Sequence, residues 1–212
     1  MTNNDIHTVD PLLANPRLVK VGGTKKFSRE KLLALKPDLV LLNLEENELE
    51  DIAFLRTRIE CYLNGVKTLA DGVETIRELG ALTGAMERAQ RLAQTAEGVW
   101  STVRERVRER TAAGGRAVRV FYPIWRDPWM SIGADTFIAD HLRTLGAEPV
   151  PPSSGASRYP VLTLEEAAAC KPDVVWLPSE PYSFKKKDAQ ELQRTPGLER
   201  VPVAMVNGDH VC

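Results

Sequence analysis

Two of the chain's four tryptophans and one of its four tyrosines fall within Tyr122-Pro123-Ile124-Trp125-Arg126-Asp127-Pro128-Trp129-Met130. Two prolines argue against a regular helix or strand here, so the rings read as loop aromatics that follow a strand predicted over Ala117–Tyr122. Aromatics on a loop at the carboxyl end of a parallel strand lie where open α/β sheets take ligands. The competing reading is that they cap the core of their own lobe. Arg126 suits the anionic edge of a ligand, or simply a pair with Asp127. Arg158-Tyr159 and Tyr182-Ser183-Phe184 are loop aromatics of the same kind. Tyr122, Trp125, Arg126, Trp129, Tyr159 and Tyr182 are therefore the candidate ligand wall, built to hold a large flat or macrocyclic solute by stacking.

Other chemistry is harder to find. Gly22-Gly23-Thr24-Lys25 follows a predicted strand at Leu18–Val21, but lacks the spacing of a phosphate-binding Walker loop and reads better as a tight turn. His7, His141 and His210 form no local ligand pair, so no protein-held metal is expected. Cys61, Cys170 and Cys212 are odd in number and scattered, giving neither a disulfide framework nor a metal spacing. No nucleophile elbow and no Cys–His setting appears, so no catalytic residue is assigned and no enzyme is expected.

The elements that must position these residues are announced by a repeat. Lys36-Pro37-Asp38-Leu39-Val40-Leu41-Leu42 returns as Lys171-Pro172-Asp173-Val174-Val175-Trp176-Leu177. Each copy follows a short amphipathic stretch, Ser28–Leu35 and Thr163–Cys170, and proline stops the helix because it lacks an N–H and disfavours α geometry before it. Each apolar run is short and partly β-branched, as in a strand buried on both faces. Acidic residues follow at matching places, Glu45 in the first copy and Glu180 in the second. Between the copies, Ala85–Ala113 carries apolar residues at a period near 3.6 without a proline, and Gly114-Gly115 ends it. The expectation is an α/β protein of two Rossmann-like lobes with parallel sheets, residues 1–84 and 115–212, bridged by one long helix over 85–114. Further helices are expected at Asp71–Leu82, Asp135–Leu145 and Lys187–Arg194, a strand at Val203–Val206, and a loop at Pro149–Ser157.

Composition is that of an ordinary globular chain: 212 residues, 43% hydrophobic, 27% charged, formal net charge −1. Nothing resembles the basic surface that nucleic acid requires. No apolar run approaches the ~18 residues of a membrane span, and the first residues have no secretory-signal pattern.

The twin Lys-Pro-Asp strands, the long central helix, Gly22-Gly23-Thr24-Lys25, the Trp125-Arg126-Asp127-Pro128-Trp129 stretch and Leu177-Pro178-Ser179-Glu180-Pro181-Tyr182 resemble the helical backbone metal receptor family. These are the class III substrate-binding proteins of ABC importers for cobalamin, ferric siderophores and haem, and the cobalamin-type branch is most similar. The resemblance implies capture of a corrinoid or ferric siderophore in the inter-lobe cleft by a monomer without a cofactor. It also implies a periplasmic or membrane-anchored location and docking onto an importer permease dimer through one glutamate per lobe, Glu180 and Glu45 or Glu46. Family members carry a further strand and loop before the Gly-Gly-Thr-Lys region and a closing helix after the last strand, so the chain is expected to be a fragment lacking both ends. The alternatives are a cytoplasmic Rossmann-like nucleotide-binding enzyme and a non-functional family fragment. An upstream signal peptide and a test for nucleotide binding would separate them.

Overall fold

The computed structural model describes residues 18–151 and 157–208. By its contacts the chain forms two compact units, Met1–Gly65 and Val66–Cys212. Both are α/β with parallel strands.

The first unit runs α1 (Arg29–Ala34), β1 (Leu39–Asn43), α2 (Leu49–Arg56) and β2 (Glu60–Asn64). β1 and β2 pair in parallel, Leu39 opposite Glu60 through Asn43 opposite Asn64. Parallel neighbours need a crossover, which α2 supplies. Its core is Leu32, Leu42, Ile52 and Leu55. The strand expected at Leu18–Val21 is absent. Gly22 (φ 135°) instead bridges Phe27, and the Gly23 N–H donates to the Lys26 carbonyl at 3.0 Å, which closes a tight turn.

The second unit opens with α3 (Leu69–Leu82) and α4 (Met86–Ala112), continues through β3 (Val118–Phe121), β4 (Pro123–Trp125), β5 (Met130–Ser131), α5 (Phe137–Thr144) and β6 (Ala147–Val150), and ends with α6 (Leu164–Ala169), β7 (Val174–Pro178), α7 (Lys186–Arg194) and β8 (Val203–Val206). A four-stranded parallel sheet is ordered β6-β3-β7-β8. One side of its core gathers Phe121, Val175, Leu177, Leu192 and Leu198, and a second cluster gathers Val120, Ile132, Ala139 and Leu142.

Several boundaries differ from the sequence reading for identifiable reasons. Thr68, not Asp71, caps α3; Asp71 is the third helical residue, and its carboxylate accepts the N–H groups of Lys67 and Thr68 in a capping box. β6 occupies residues read as loop because Pro149 lies in an edge strand, where a missing N–H is tolerated. Residues 152–156 of that loop lie outside the described residues, as do residues 1–17 with His7, and His210 and Cys212.

The segment predicted as one long helix is one helix. α4 spans 27 residues without a break, about 40 Å at 1.5 Å per residue. It packs back on α3 at a close crossing, where a Cβ on Gly80 would stand 2.3 Å from the Ala89 Cβ. Ala89 and Ala93 are its buried residues.

The Lys-Pro-Asp repeat is also a repeat of structure. Ser28 and Thr163 cap the two helices, accepting the Lys31 and Glu166 N–H groups. Lys36 (φ 49°) and Lys171 (φ 48°) then leave each helix through the same left-handed turn. The proline does exclude right-handed helix from the residue before it, but that residue adopts positive φ here.

Candidate functional site

β3 and β7 are parallel neighbours, so the loops after them emerge at the same carboxyl edge of the sheet. The loop after β3 carries Trp125, Arg126 and Trp129, and the loop after β7 carries Tyr182 and Phe184. Their rings form one connected series. Trp125 meets Tyr182 edge-on at 5.6 Å, Tyr182 meets Phe184 edge-on at 4.7 Å, and Phe184 stacks on Trp129 at 5.7 Å with planes 12° apart. Trp125 is 44% exposed, while Trp129 and Phe184 are buried at 9% and 3%. The series thus runs from a ring open to solvent down into the core, which fixes the outer ring by the packing of the inner ones.

The expectation that prolines deny this loop regular structure is corrected. β4 and β5 pair antiparallel, with an irregularity between Pro123 and Trp125. The short hairpin tolerates Pro123 because it lies outside the main sheet, and Asp127 (φ 62°) turns the chain between the two strands. The Ser131 hydroxyl donates to the Tyr122 carbonyl at 2.9 Å and holds the base of the hairpin.

Two of the candidate residues do not have the surroundings the sequence suggests. Tyr122 has no exposed surface and packs with Val120, Ile124 and Ile132, so it supports the loop from beneath. Arg126 is committed within the protein. Its Nη1 lies 3.0 Å from Asp188 Oδ1, its Nη2 donates to Glu191 Oε2, and its guanidinium faces the Trp129 ring at 5.8 Å. Burial opposes its charge, yet Glu191 and Asp127, a hydrogen bond to Tyr182, and Asp188 together hold its pKa above the ordinary value. Asp188 is fully buried; its Oδ2 accepts the Lys185 N–H at the start of α7, and its Oδ1 faces Arg126 without hydrogen-bond alignment. The anionic edge that Arg126 meets is thus the protein's own. Asp188 and Glu191 escaped the sequence reading because no local pattern ties α7 to a loop more than sixty residues earlier.

Tyr159 packs against the other core cluster of this unit, with the Arg158 guanidinium 5.9 Å from its ring. The chain around it runs beside the hairpin, since the Gly133 N–H donates to the Arg158 carbonyl and the Leu162 N–H to the Trp129 carbonyl. The structure therefore joins Trp125, Arg126, Trp129 and Tyr182 in one contact series and places Tyr122 and Tyr159 in the neighbouring cluster.

The two acidic tips follow their strands at matching distance. Glu180 is exposed just beyond β7. Beyond β1, Asn43 Oδ1 accepts the Glu45 and Glu46 N–H groups, Lys25 Nζ donates to the Glu45 carbonyl, and Glu46 accepts the Thr24 hydroxyl at 3.1 Å. The Gly22–Lys25 turn is thereby tied to the acidic loop. Arg29 binds Asp51 and Glu50 at 2.5 and 3.0 Å. Glu46 is exposed and Glu45 half-buried. Among the described residues no group of three His, Cys, Asp or Glu could hold a metal ion, and no helix is long and apolar enough to cross a membrane.

Residues 2–209 match the family of periplasmic binding proteins. The chain belongs to that family. Its fold is similar to that of the periplasmic vitamin B12-binding protein of Vibrio cholerae, at a TM-score of 0.74 and 20% identity over 92% of this chain and 74% of that one. A periplasmic haem-binding protein in complex with two haems, BhuT, superposes at 0.74 with 25% identity over 94% and 78%. A periplasmic haem-binding protein from Roseiflexus sp. RS-1 superposes at 0.75 with 20% identity over 95% and 78%. No curated protein matches. The family is one of binding proteins that carry ligands, not of enzymes with cofactors, and the nucleotide-binding enzyme alternative is set aside on that ground.

Proposed function

We propose that this chain is the substrate-binding component of an ABC importer and captures a metal chelate, a cobalamin-like corrinoid or a ferric siderophore, outside the cytoplasm. Residues 1–84 and 115–212 would be its lobes and 85–114 the bridge. The observation that carries the reading is Trp125. It is a large ring held half in solvent at the carboxyl edge of a parallel sheet, its position set by Tyr182, in a chain of the periplasmic binding protein family. A flat macrocycle resting on Trp125 and Tyr182 gains stacking and apolar burial together. The vitamin B12 and haem proteins of similar fold support the ligand class. Glu180, with Glu45 or Glu46, would dock onto two equivalent basic pockets of a dimeric permease.

The test is binding of cyanocobalamin, haemin and a ferric hydroxamate siderophore, followed by tryptophan fluorescence and calorimetry. Trp125→Ala should weaken the preferred ligand by about 1–3 kcal/mol with little change in thermal stability. Absence of binding to all three, or unchanged affinity in Trp125→Ala, would overturn the reading. Glu180→Ala should leave affinity intact and reduce uptake, the more so with Glu45→Ala and Glu46→Ala. Normal uptake by the triple variant would remove the docking role.

A further inference from the structure

The loop after β7 is held in place from the neighbouring strand. The Ser179 N–H donates to the Val206 carbonyl at 3.0 Å, which carries the β7–β8 pairing one residue beyond β7. The Ser179 hydroxyl accepts the Gly208 N–H at 2.9 Å and donates to Asn207 Oδ1 at 3.3 Å. Gly208 is buried against Glu180: a Cβ there would stand 2.9 Å from the Glu180 nitrogen and 3.1 Å from the Glu180 Cβ. Only a residue without a side chain lets the two segments approach so closely.

Leu44, which holds the place of Ser179 in the first Lys-Pro-Asp copy, likewise donates its N–H to the Asn64 carbonyl, at 2.8 Å. The two copies differ in what their acids do. Glu46 accepts the Thr24 hydroxyl, whereas the exposed Glu180 side chain has no hydrogen bond or ion pair among the described residues. Ser179 and Gly208 therefore fix the main chain of Glu180 and leave its carboxylate free. A carboxylate on a loose loop loses backbone and side-chain freedom when it enters a partner's pocket; one whose main chain is already fixed loses side-chain freedom alone.

We infer that Ser179 and Gly208 are positioning residues for the contact between Glu180 and a cationic pocket of the permease. The inference rests on the proposed importer function and adds how this tip is preorganised. The aromatic series is fixed by its own ring contacts, so ligand affinity should not follow changes at Ser179 or Gly208.

The experiment uses the source strain deleted for this chain and complemented with the wild-type chain or its variants. Uptake of radiolabelled cyanocobalamin, haemin and a ferric hydroxamate is followed, and calorimetry on the purified chains gives ligand Kd. Gly208→Ala, which displaces Glu180, and Glu180→Gln should each lower uptake at least about threefold with Kd unchanged. Ser179→Ala adds no atom and removes both hydroxyl bonds; it should act in the same direction, and it decides the matter where Gly208→Ala fails to fold. Because both residues act through Glu180, adding either change to Glu180→Gln should lower uptake no further, an outcome that a merely structural role would not give. Normal uptake with Gly208→Ala and Ser179→Ala while Glu180→Gln is impaired overturns this inference alone, as does an additive loss in the double variants. Normal uptake with Glu180→Gln removes the docking role, and a wild-type chain that restores no uptake removes the importer reading itself.

Discussion

Replacing Arg126 with methionine keeps most of the side chain's volume and removes its charge, which separates two roles that a loop arginine can have. Asp188 is fully buried and faces Arg126 at 3.0 Å, and Arg126 itself retains only 19% exposure. Without the guanidinium, the Asp188 carboxylate stays in the core with one N–H donor, from Lys185. Stranding one partner of a buried ion pair costs about 3–5 kcal/mol. The low end applies, because Asp188 keeps that donor and Arg126 is not fully enclosed. At about 2–4 °C per kcal/mol for a unit of this size, Arg126→Met should lower Tm by about 6–12 °C. Asp188→Asn added to Arg126→Met should recover part of the loss, since the amide needs no counter-charge, with a coupling of about 1–3 kcal/mol in the double-mutant cycle. Differential scanning fluorimetry and urea titration measure both. An unchanged Tm in Arg126→Met, accompanied by lost ligand affinity, would refute the reasoning and return Arg126 to the role of a ligand contact.

Gly80→Ala should destabilise by about 1–3 kcal/mol, because the new Cβ would stand 2.3 Å from Ala89 and must part α3 from α4. Gly98→Ala, in the same helix pair but with open space around it, should stabilise by up to about 1 kcal/mol; urea midpoints of the two variants compare them directly. Asp173→Asn tests the second Lys-Pro-Asp copy. Arg116, bound bidentately, and then the Arg119 N–H hold the Asp173 carboxyl well below the usual carboxylate range. A depressed folded pKa contributes stability above the unfolded value near 4 that is lost as pH falls through the folded one. The wild-type chain should therefore exceed Asp173→Asn in stability at neutral pH, and the gap should close as acid unfolding curves are followed downward from about pH 4. A gap that is constant with pH would exclude this role.

Much of the fold was legible because its signals are local. The two capped helices, the Lys-Pro-Asp stops, the strands Leu39–Asn43 and Val174–Pro178, and the unbroken α4 all follow from patterns within a few residues. The failures share a cause too. Pro149 and Pro123 read as breakers, yet an edge strand and a short hairpin outside the main sheet let them pair. Leu18–Val21 reads as a strand by composition, yet the described chain there closes a turn between Gly22 and Phe27.

The candidate site shows the same division at the level of side chains. Proline and aromatic density pointed to the loop after β3, and the second Lys-Pro-Asp strand to the loop after β7. That the two meet follows from a parallel β3–β7 pairing, which no local pattern encodes. Which ring faces out is set by that pairing as well: Trp129 is taken by Phe184, Tyr122 by the core beneath, and Trp125 alone of the three keeps a large open face. Arg126 is the sharpest case. In sequence it is a cation among aromatics, the composition of an anion site. In the folded chain its charge is already met by Asp188 and Glu191, two acids three residues apart on a helix that begins sixty residues later. The surface left for a solute is then chiefly aromatic, so affinity there must come from stacking and apolar burial and should depend only weakly on salt.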